Sequence, residues 1–250
     1  MSGHSKWSTI KHKKGAADAK RGKLFSKLSR AIIIAAKEGG GDPAGNLALQ
    51  NAIIKAKSYS MPKDNIERAI ARGAGTDADA ASFEAIVYEG YGPGGVAVIV
   101  EALTDNKNRT ASDVRHLFDK HGGNLGTSGS VAYQFERRGE ILVVGDVDED
   151  ELLLAAADAG ADDVVNDSGT FQVLCAIDVF GAVRDAVEAA GYTIESAELT
   201  MIPKNTVDVS DEGIAKKLMK LMDALEDNDD VQDVYANFDI PEEILEAVAG

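Results

Sequence analysis

Residues 140–201 read EILVVGDVDEDELLLAAADAGADDVVNDSGTFQVLCAIDVFGAVRDAVEAAGYTIESAELTM, and the order of patterns inside them decides the fold. Short runs rich in β-branched residues alternate with stretches whose apolar residues recur at helical spacing. Strand Glu140–Val144 leads to helix Glu149–Ala159, then to strands Asp163–Asn166 and Thr170–Ile177. Helix Val179–Ala190 and strand Thr193–Met201 complete the block. The order β-α-β-β-α-β is the split βαβ arrangement of ferredoxin-like domains.

Working outward, Phe83–Tyr91, a Gly-Pro-Gly-Gly turn and Val96–Leu103 predict a hairpin, followed by a helix over Asn108–His121 and a strand over Val131–Glu136. Beyond the block come strand Thr206–Val209, helix Asp211–Glu226 and strand Val231–Phe238. Joined, these flanks are expected to form a second α/β sandwich into which the first is inserted at Arg137. Further upstream, Leu24, Phe25, Leu28, Ala31, Ile32, Ala35 and Ala36 fall on one face of a helix that starts near Ala16 and stops at Gly39-Gly40-Gly41. A second helix is expected over Asn46–Tyr59, with Leu49, Ile53 and Ala56 on one side. A third begins with Pro62 at its first position and closes at Gly73. The expected class is α+β multidomain, with a three-helix domain followed by two ferredoxin-like α/β sandwiches, one inserted in the other. The expected domains are 1–75 (basic, helical), 82–136 plus 204–240 (discontinuous), and 137–203 (inserted).

The formal net charge of −16 conceals a division. Residues 1–72 carry 15 Lys/Arg against 5 Asp/Glu, whereas residues 73–250 carry 11 against 37. Such asymmetry points to a polyanionic partner for one segment only. At 100° per residue, Lys20, Lys23, Lys27, Arg30 and Lys37 form one stripe beside the apolar face, with Arg21 adjacent in sequence. Upstream, Lys6, Lys11, Lys13 and Lys14 interleave with Trp7 and His12. Lysines neutralise phosphates and release counterions, and an aromatic among them can stack on an unpaired base. The bland alternative is a solvated face, but such faces mix signs, and Asp18 is the only acid before Glu38. A membrane-surface role conflicts with the use of the apolar face as core.

The body offers little catalytic chemistry. Its histidines, His116 and His121, lie five apart on one helix, and with His4 and His12 they build no metal-ligand spacing. The glycines of Gly90–Gly95 join two strands instead of opening a helix, so a phosphate loop is not expected. The polar run Thr104–Thr110 has two readings: a helix cap formed by Asp105 or Asn106, or a secondary contact through Lys107 and Arg109. An enzyme using this run would need a titratable pair converging beside Asp105. The acidic runs 146–151 and 226–230 read as turns, caps and solubility, with a capacity to repel nucleic acid. No cofactor, metal or small-molecule substrate is expected. Cys175, the single cysteine, lies in an apolar run and forms no disulfide within the chain; a reducing, cytoplasmic setting is expected. The run Ala31–Ala36 is far short of the roughly 20 apolar residues of a membrane helix.

Several blocks closely resemble the YebC/PmpR family: GHSKWSTIKHKKGAADAKRGKLF (3–25), MPKDNIERAI (61–70), YEGYGPGG (88–95), LTDNKNRT (103–110) and GGNLGTSGSVAYQF (122–135). The resemblance implies a three-domain protein that is non-enzymatic and regulates gene expression. Members are described as cytoplasmic DNA-binding transcriptional regulators. Others, including a mitochondrial translational activator, act on the ribosome and help synthesis through stretches such as proline runs. DNA and ribosomal RNA therefore both stand as expected partners. One departure matters. Where the family has Asn-Pro-Arg-Leu-Arg, this chain has Asn46-Leu47-Ala48-Leu49-Gln50, with two fewer cations.

Overall fold

Asparagines and glycines set the helix ends of the N-terminal segment in the computed structural model, which describes residues 18–75, 83–167 and 169–249. Helix α1 (Asp18–Gly39) buries Leu28, Ile32, Ala35 and Ala36 on one face. It stops where Gly40 takes φ 88°, a left-handed conformation that glycine adopts without strain. Helix α2 (Leu47–Ser58) is capped by Asn46, whose carboxamide oxygen accepts from Leu49 N at 3.0 Å. The same side chain donates to Ala35 O at 2.7 Å and Gly40 O at 2.8 Å, tying the end of α1 to the start of α2. Replacing Asn46 with alanine removes a cap and two half-buried or buried bonds, and is expected to cost about 2 kcal/mol in urea unfolding. Helix α3 (Lys63–Ala74) follows, with Pro62 one residue earlier than expected, at the position preceding the helix.

The described residues fall into two compact units: residues 18–27, 83–136 and 203–249 form one, and residues 28–75, 137–167 and 169–202 the other. In the first, β1 (Glu84–Tyr91) and β2 (Ala97–Thr104) pair antiparallel from Glu84↔Thr104 to Tyr91↔Ala97. Helix α4 (Lys107–Lys120), the two-residue strand β3 (Asn124–Leu125), and strand β4 (Phe135–Val144), which continues into the second unit, come next. Later in the chain, β8 (Val207–Asp208), α7 (Glu212–Glu226), β9 (Val231–Ala236), β10 (Phe238–Asp239) and α8 (Glu242–Ala249) complete the first unit. Its sheet order is β3-β1-β2-β9, and β8 pairs parallel with β10. Val98 and Val100 of β2, two apart and so on one face, pack with Val114 and Phe118 of α4 and Leu218, Leu221 and Met222 of α7. Gly90 lies under Phe118, whose ring would be 2.8 Å from a β-carbon there.

In the second unit, β4 leads to α5 (Glu149–Asp158), β5 (Ala161–Asp167), β6 (Thr170–Cys175), α6 (Phe180–Ala189) and β7 (Thr193–Pro203). The order β5-β6-β4-β7, with β6 antiparallel to both neighbours, is that of a split βαβ domain. Ile141, Val143, Val173 and Cys175 meet Leu152 and Ala156 of α5 and Phe180, Val183 and Val187 of α6. Ile54 of α2 belongs to the same cluster, and Lys55 Nζ lies 2.9 Å from Glu198 Oε2 on β7. The buried residues of α2 are Leu49, Ile54 and Ala56, so Leu49 and Ala56 lie as expected and Ile54 is buried in place of Ile53.

Glu140 of β4 is fully buried and takes a hydrogen bond from the Gln172 amide on β6. Burial pushes its carboxyl up to about 7; the Gln172 bond opposes this and Glu198 adds to it. The folded protein therefore binds this proton more tightly than the unfolded chain, and the stability contributed falls as pH rises from about 4.5 to 7. Glu140→Gln is expected to remove that decline and to stabilise the protein at pH 8 by on the order of 2 kcal/mol. Thermal melts of both forms across pH 5–8 check it; parallel curves would contradict it.

The sequence placed a strand over Val131–Glu136. Ala132–Gln134 instead forms a 3-10 turn, and the strand begins at Phe135, running unbroken through Gly139. The cause is Glu89 on β1. Its carboxylate accepts from the backbone N–H of Gly129, Val131 and Ala132 at 2.7–2.8 Å, withdrawing those donors from any ladder.

Candidate nucleic-acid interface

Of the residues expected to contact nucleic acid, Lys6, Trp7, Lys11, His12, Lys13 and Lys14 lie outside the described residues, and only the backbone of Lys20 is described, within α1. Arg21 and Lys23 are exposed on α1, and Lys27 and Arg30 are half-buried further along it. Lys23 Nζ donates to Asp227 O at 3.3 Å and lies 3.8 Å from Asp229 Oδ1. Lys27 Nζ donates to Glu226 O at 2.5 Å. Both lysines thus meet the C-terminal end of α7, where the last carbonyls lack intrahelical partners and the helix dipole is negative. Helix α7 carries no basic residue in its own last turn, so its terminal charge is met from α1.

This contact was not read from the sequence, where the 226–230 run stood as a turn with the capacity to repel nucleic acid. The signal available was the acidic helix end without a cation of its own. Both side chains of the Lys23–Asp229 pair are mostly exposed, and such pairs contribute only about 0–1 kcal/mol. A phosphate can therefore take the place of the carboxylate at small cost.

On α2, Asn46 and Leu49 are buried while Leu47, Ala48 and Gln50 are exposed. The two positions that carry arginine in the family pattern thus face outward without charge. Exposed cations of the N-terminal segment are found on α1, at Lys57 near the end of α2 and, at Lys63, Arg68 and Arg72, on α3.

The 104–110 run is organised around an acid. Asn106 caps α4 by accepting from Arg109 N at 3.1 Å, as one of the two expected readings had it. Lys107 pairs with Glu84. Arg109 Nη2 donates to Asp105 Oδ1 at 2.9 Å and to Asp230 Oδ2 at 2.7 Å. Asp230 Oδ2 also takes hydrogen bonds from Thr104 Oγ1 at 3.2 Å and Thr110 Oγ1 at 2.8 Å. Burial acts to raise the Asp230 carboxyl, but the bonds from Arg109 and Thr110, the guanidinium charge and Thr104 prevail and hold it below its usual value. Arg109 in turn is held more firmly charged than an ordinary arginine by its bonds to Asp230 and Asp105. Asp105 and Asp230 share one guanidinium, and the Asp230 node joins the end of β2, α4 and the start of β9, an arrangement suited to holding these elements together rather than to moving a proton.

Cys175 is buried, and burial pushes its thiol up to about 11, which suits packing more than nucleophilic chemistry. Among the described residues, no cluster of three or more His, Cys, Asp or Glu side chains is placed to hold a metal, and no helix is long and apolar enough to cross a membrane.

The family described as "TACO1/YebC protein N-terminal domain" matches residues 5–76, and that described as "TACO1/YebC second and third domain" matches residues 83–238. A protein of Rubrobacter xylanophilus is 61% identical over 251 residues, covering all of both chains; its name is "probable transcriptional regulatory protein". A Desulfotalea psychrophila protein of similar name is 56% identical over 250 residues, again over the whole of both chains. A crystal structure of a conserved hypothetical protein from Aquifex aeolicus is 52% identical and superposes with a TM-score of 0.81, covering 91% of this chain and 94% of that one.

Proposed function

Since the chain belongs to the TACO1/YebC family, we propose that it is a non-enzymatic, cytoplasmic regulator of gene expression that binds nucleic acid, most directly as a DNA-binding transcriptional regulator. The names of its full-length relatives support the regulatory role. The observation that carries the binding role is the concentration of cations in residues 1–72 of an otherwise acidic chain, with the α1 stripe of Lys23, Lys27 and Arg30 continuing the arm of Lys6, Lys11, Lys13 and Lys14. Trp7 and His12 supply stacking and hydrogen bonding within that arm, and Lys20 and Arg21 extend it into the helix. Lys107 and Arg109 are secondary contacts at most, because each is committed to a carboxylate.

No base-reading motif is present, so affinity rests on phosphate contacts and selectivity on shape or on a larger assembly. Crosslinking in cells followed by sequencing of the bound nucleic acid, with sucrose-gradient sedimentation alongside, tests the assignment. Promoter DNA is the expected recovery. Enrichment of ribosomal RNA with co-migration on ribosomes would replace the transcriptional role by a translational one.

A further inference from the structure

The loop between α4 and β4 is built to hold one aromatic ring in solvent. Its sequence, Asn124–Gln134, carries no acid, and Lys120–Phe135 is the longest stretch without Asp or Glu in residues 73–250. Glu89 fixes the loop from below. Burial acts to raise the Glu89 carboxyl, but the three backbone N–H bonds from Gly129, Val131 and Ala132 prevail and keep it ionised. Its own carbonyl takes Gly126 N at 2.8 Å, and Tyr91 Oη donates to Ser130 O at 3.1 Å. Val131 and Phe135, two residues to either side of Tyr133, are both buried and act as anchors. Between them Tyr133 is 67% exposed, the most open of the large apolar side chains among the described residues. Gln134 O takes Lys204 N at 2.8 Å, which brings an exposed lysine to the same loop, and the Thr127 and Ser128 hydroxyls are exposed on it.

A large ring left in water loses the burial that would stabilise it, and a loop fixed by so many bonds loses chain entropy. Both costs make sense if the ring is presented to a partner in one orientation. The absence of carboxylates on the loop, in a body otherwise crowded with them, matches an anionic partner. An exposed π face on a loop that also carries exposed hydroxyl residues, with a lysine joined to it through the backbone, is a combination that takes an unpaired base and its phosphate. We infer that the 124–134 loop, through Tyr133 with Thr127, Ser128 and Lys204, is a second contact site for single-stranded nucleic acid. This site rests on the nucleic-acid reading above and sharpens it, because a base stacked inside a duplex cannot offer its face to Tyr133.

The test uses the full chain, a fluorescent single-stranded oligonucleotide and a duplex of equal length. Tyr133→Ala is expected to weaken single-strand binding about fivefold or more while leaving duplex binding and the melting temperature unchanged. Tyr133→Phe and Tyr133→Trp keep the ring and are expected to bind as the parent does. A 4-thiouridine oligonucleotide is expected to crosslink to a peptide containing Tyr133. Unchanged single-strand affinity of Tyr133→Ala, alongside a loss on removal of the arm lysines, would overturn the loop site and leave the nucleic-acid reading standing. Failure of the parent chain to bind either oligonucleotide would overturn both.

Discussion

Asp230→Ala is expected to lower the stability of the protein by about 3 kcal/mol, measured by urea unfolding at pH 7. Thr104 and Thr110 are buried and would lose their common acceptor, while Arg109 would keep Asp105 and water. Thr110 Oγ1 retains Thr104 Oγ1 at 2.8 Å and Asn106 O at 3.2 Å, so the effect arises from the loss of the charged acceptor at the centre of this buried network more than from the exposed half of the ion pair. Asp230→Asn keeps one acceptor oxygen but turns an amide N–H₂ toward the guanidinium, and an intermediate loss is expected.

The pH dependence separates the charge from the packing. Because the folded Asp230 carboxyl is held below its ordinary 3.8, its contribution is fully present above that value and is lost as pH falls through the lower, folded one. The parent should lose stability in acid over this window more steeply than Asp230→Ala. A variant within 0.5 kcal/mol of the parent at pH 7, with the same acid limb, would show that the node contributes little.

The fold class was legible because its signals are local. In residues 140–201 the apolar periods, the caps and the turn glycines each act within a few residues, and they suffice to give the order of elements. The same holds for the β1–β2 hairpin and for a cap at Asp105 or Asn106, of which Asn106 serves; Asn46 was read only as the start of its helix. What escaped depends on groups far apart in sequence. Val131–Gln134 has the composition of a strand, and a carboxylate some forty residues earlier makes it a turn. The strand expected through Phe238 breaks at Asn237, whose side chain accepts from Ala97 N and donates to Gln134. Strand β3, two residues long, and helix α8 were not anticipated; β3 is too short to show a period.

The candidate site divides in the same way. The cationic stripe of α1 could be read from spacing alone, since it needs only the helical period. The destination of Lys23 and Lys27 could not, because it lies about two hundred residues further on. Arg109 likewise looked available in its polar run, and its commitment to Asp230 is visible only in three dimensions. Tyr133 carried no signal of exposure, because Val-Ala-Tyr-Gln-Phe reads equally well as a half-buried strand.

The most direct test of the account is the salt dependence of nucleic-acid binding by the full chain and by a variant with Lys11, Lys13, Lys14, Lys23 and Lys27 replaced by alanine. Each phosphate contact contributes a slope of about −0.9 in log K against log salt on duplex DNA and about −0.7 on single strands. Loss of five lysines should flatten the slope by about 3–5 and weaken binding at 100 mM salt by on the order of a hundredfold. The part contributed by Lys23 and Lys27 should be the smaller, since in the free protein they already rest on the end of α7. Affinity and slope equal to those of the parent would contradict the account and leave the stripe of α1 as a solvated face.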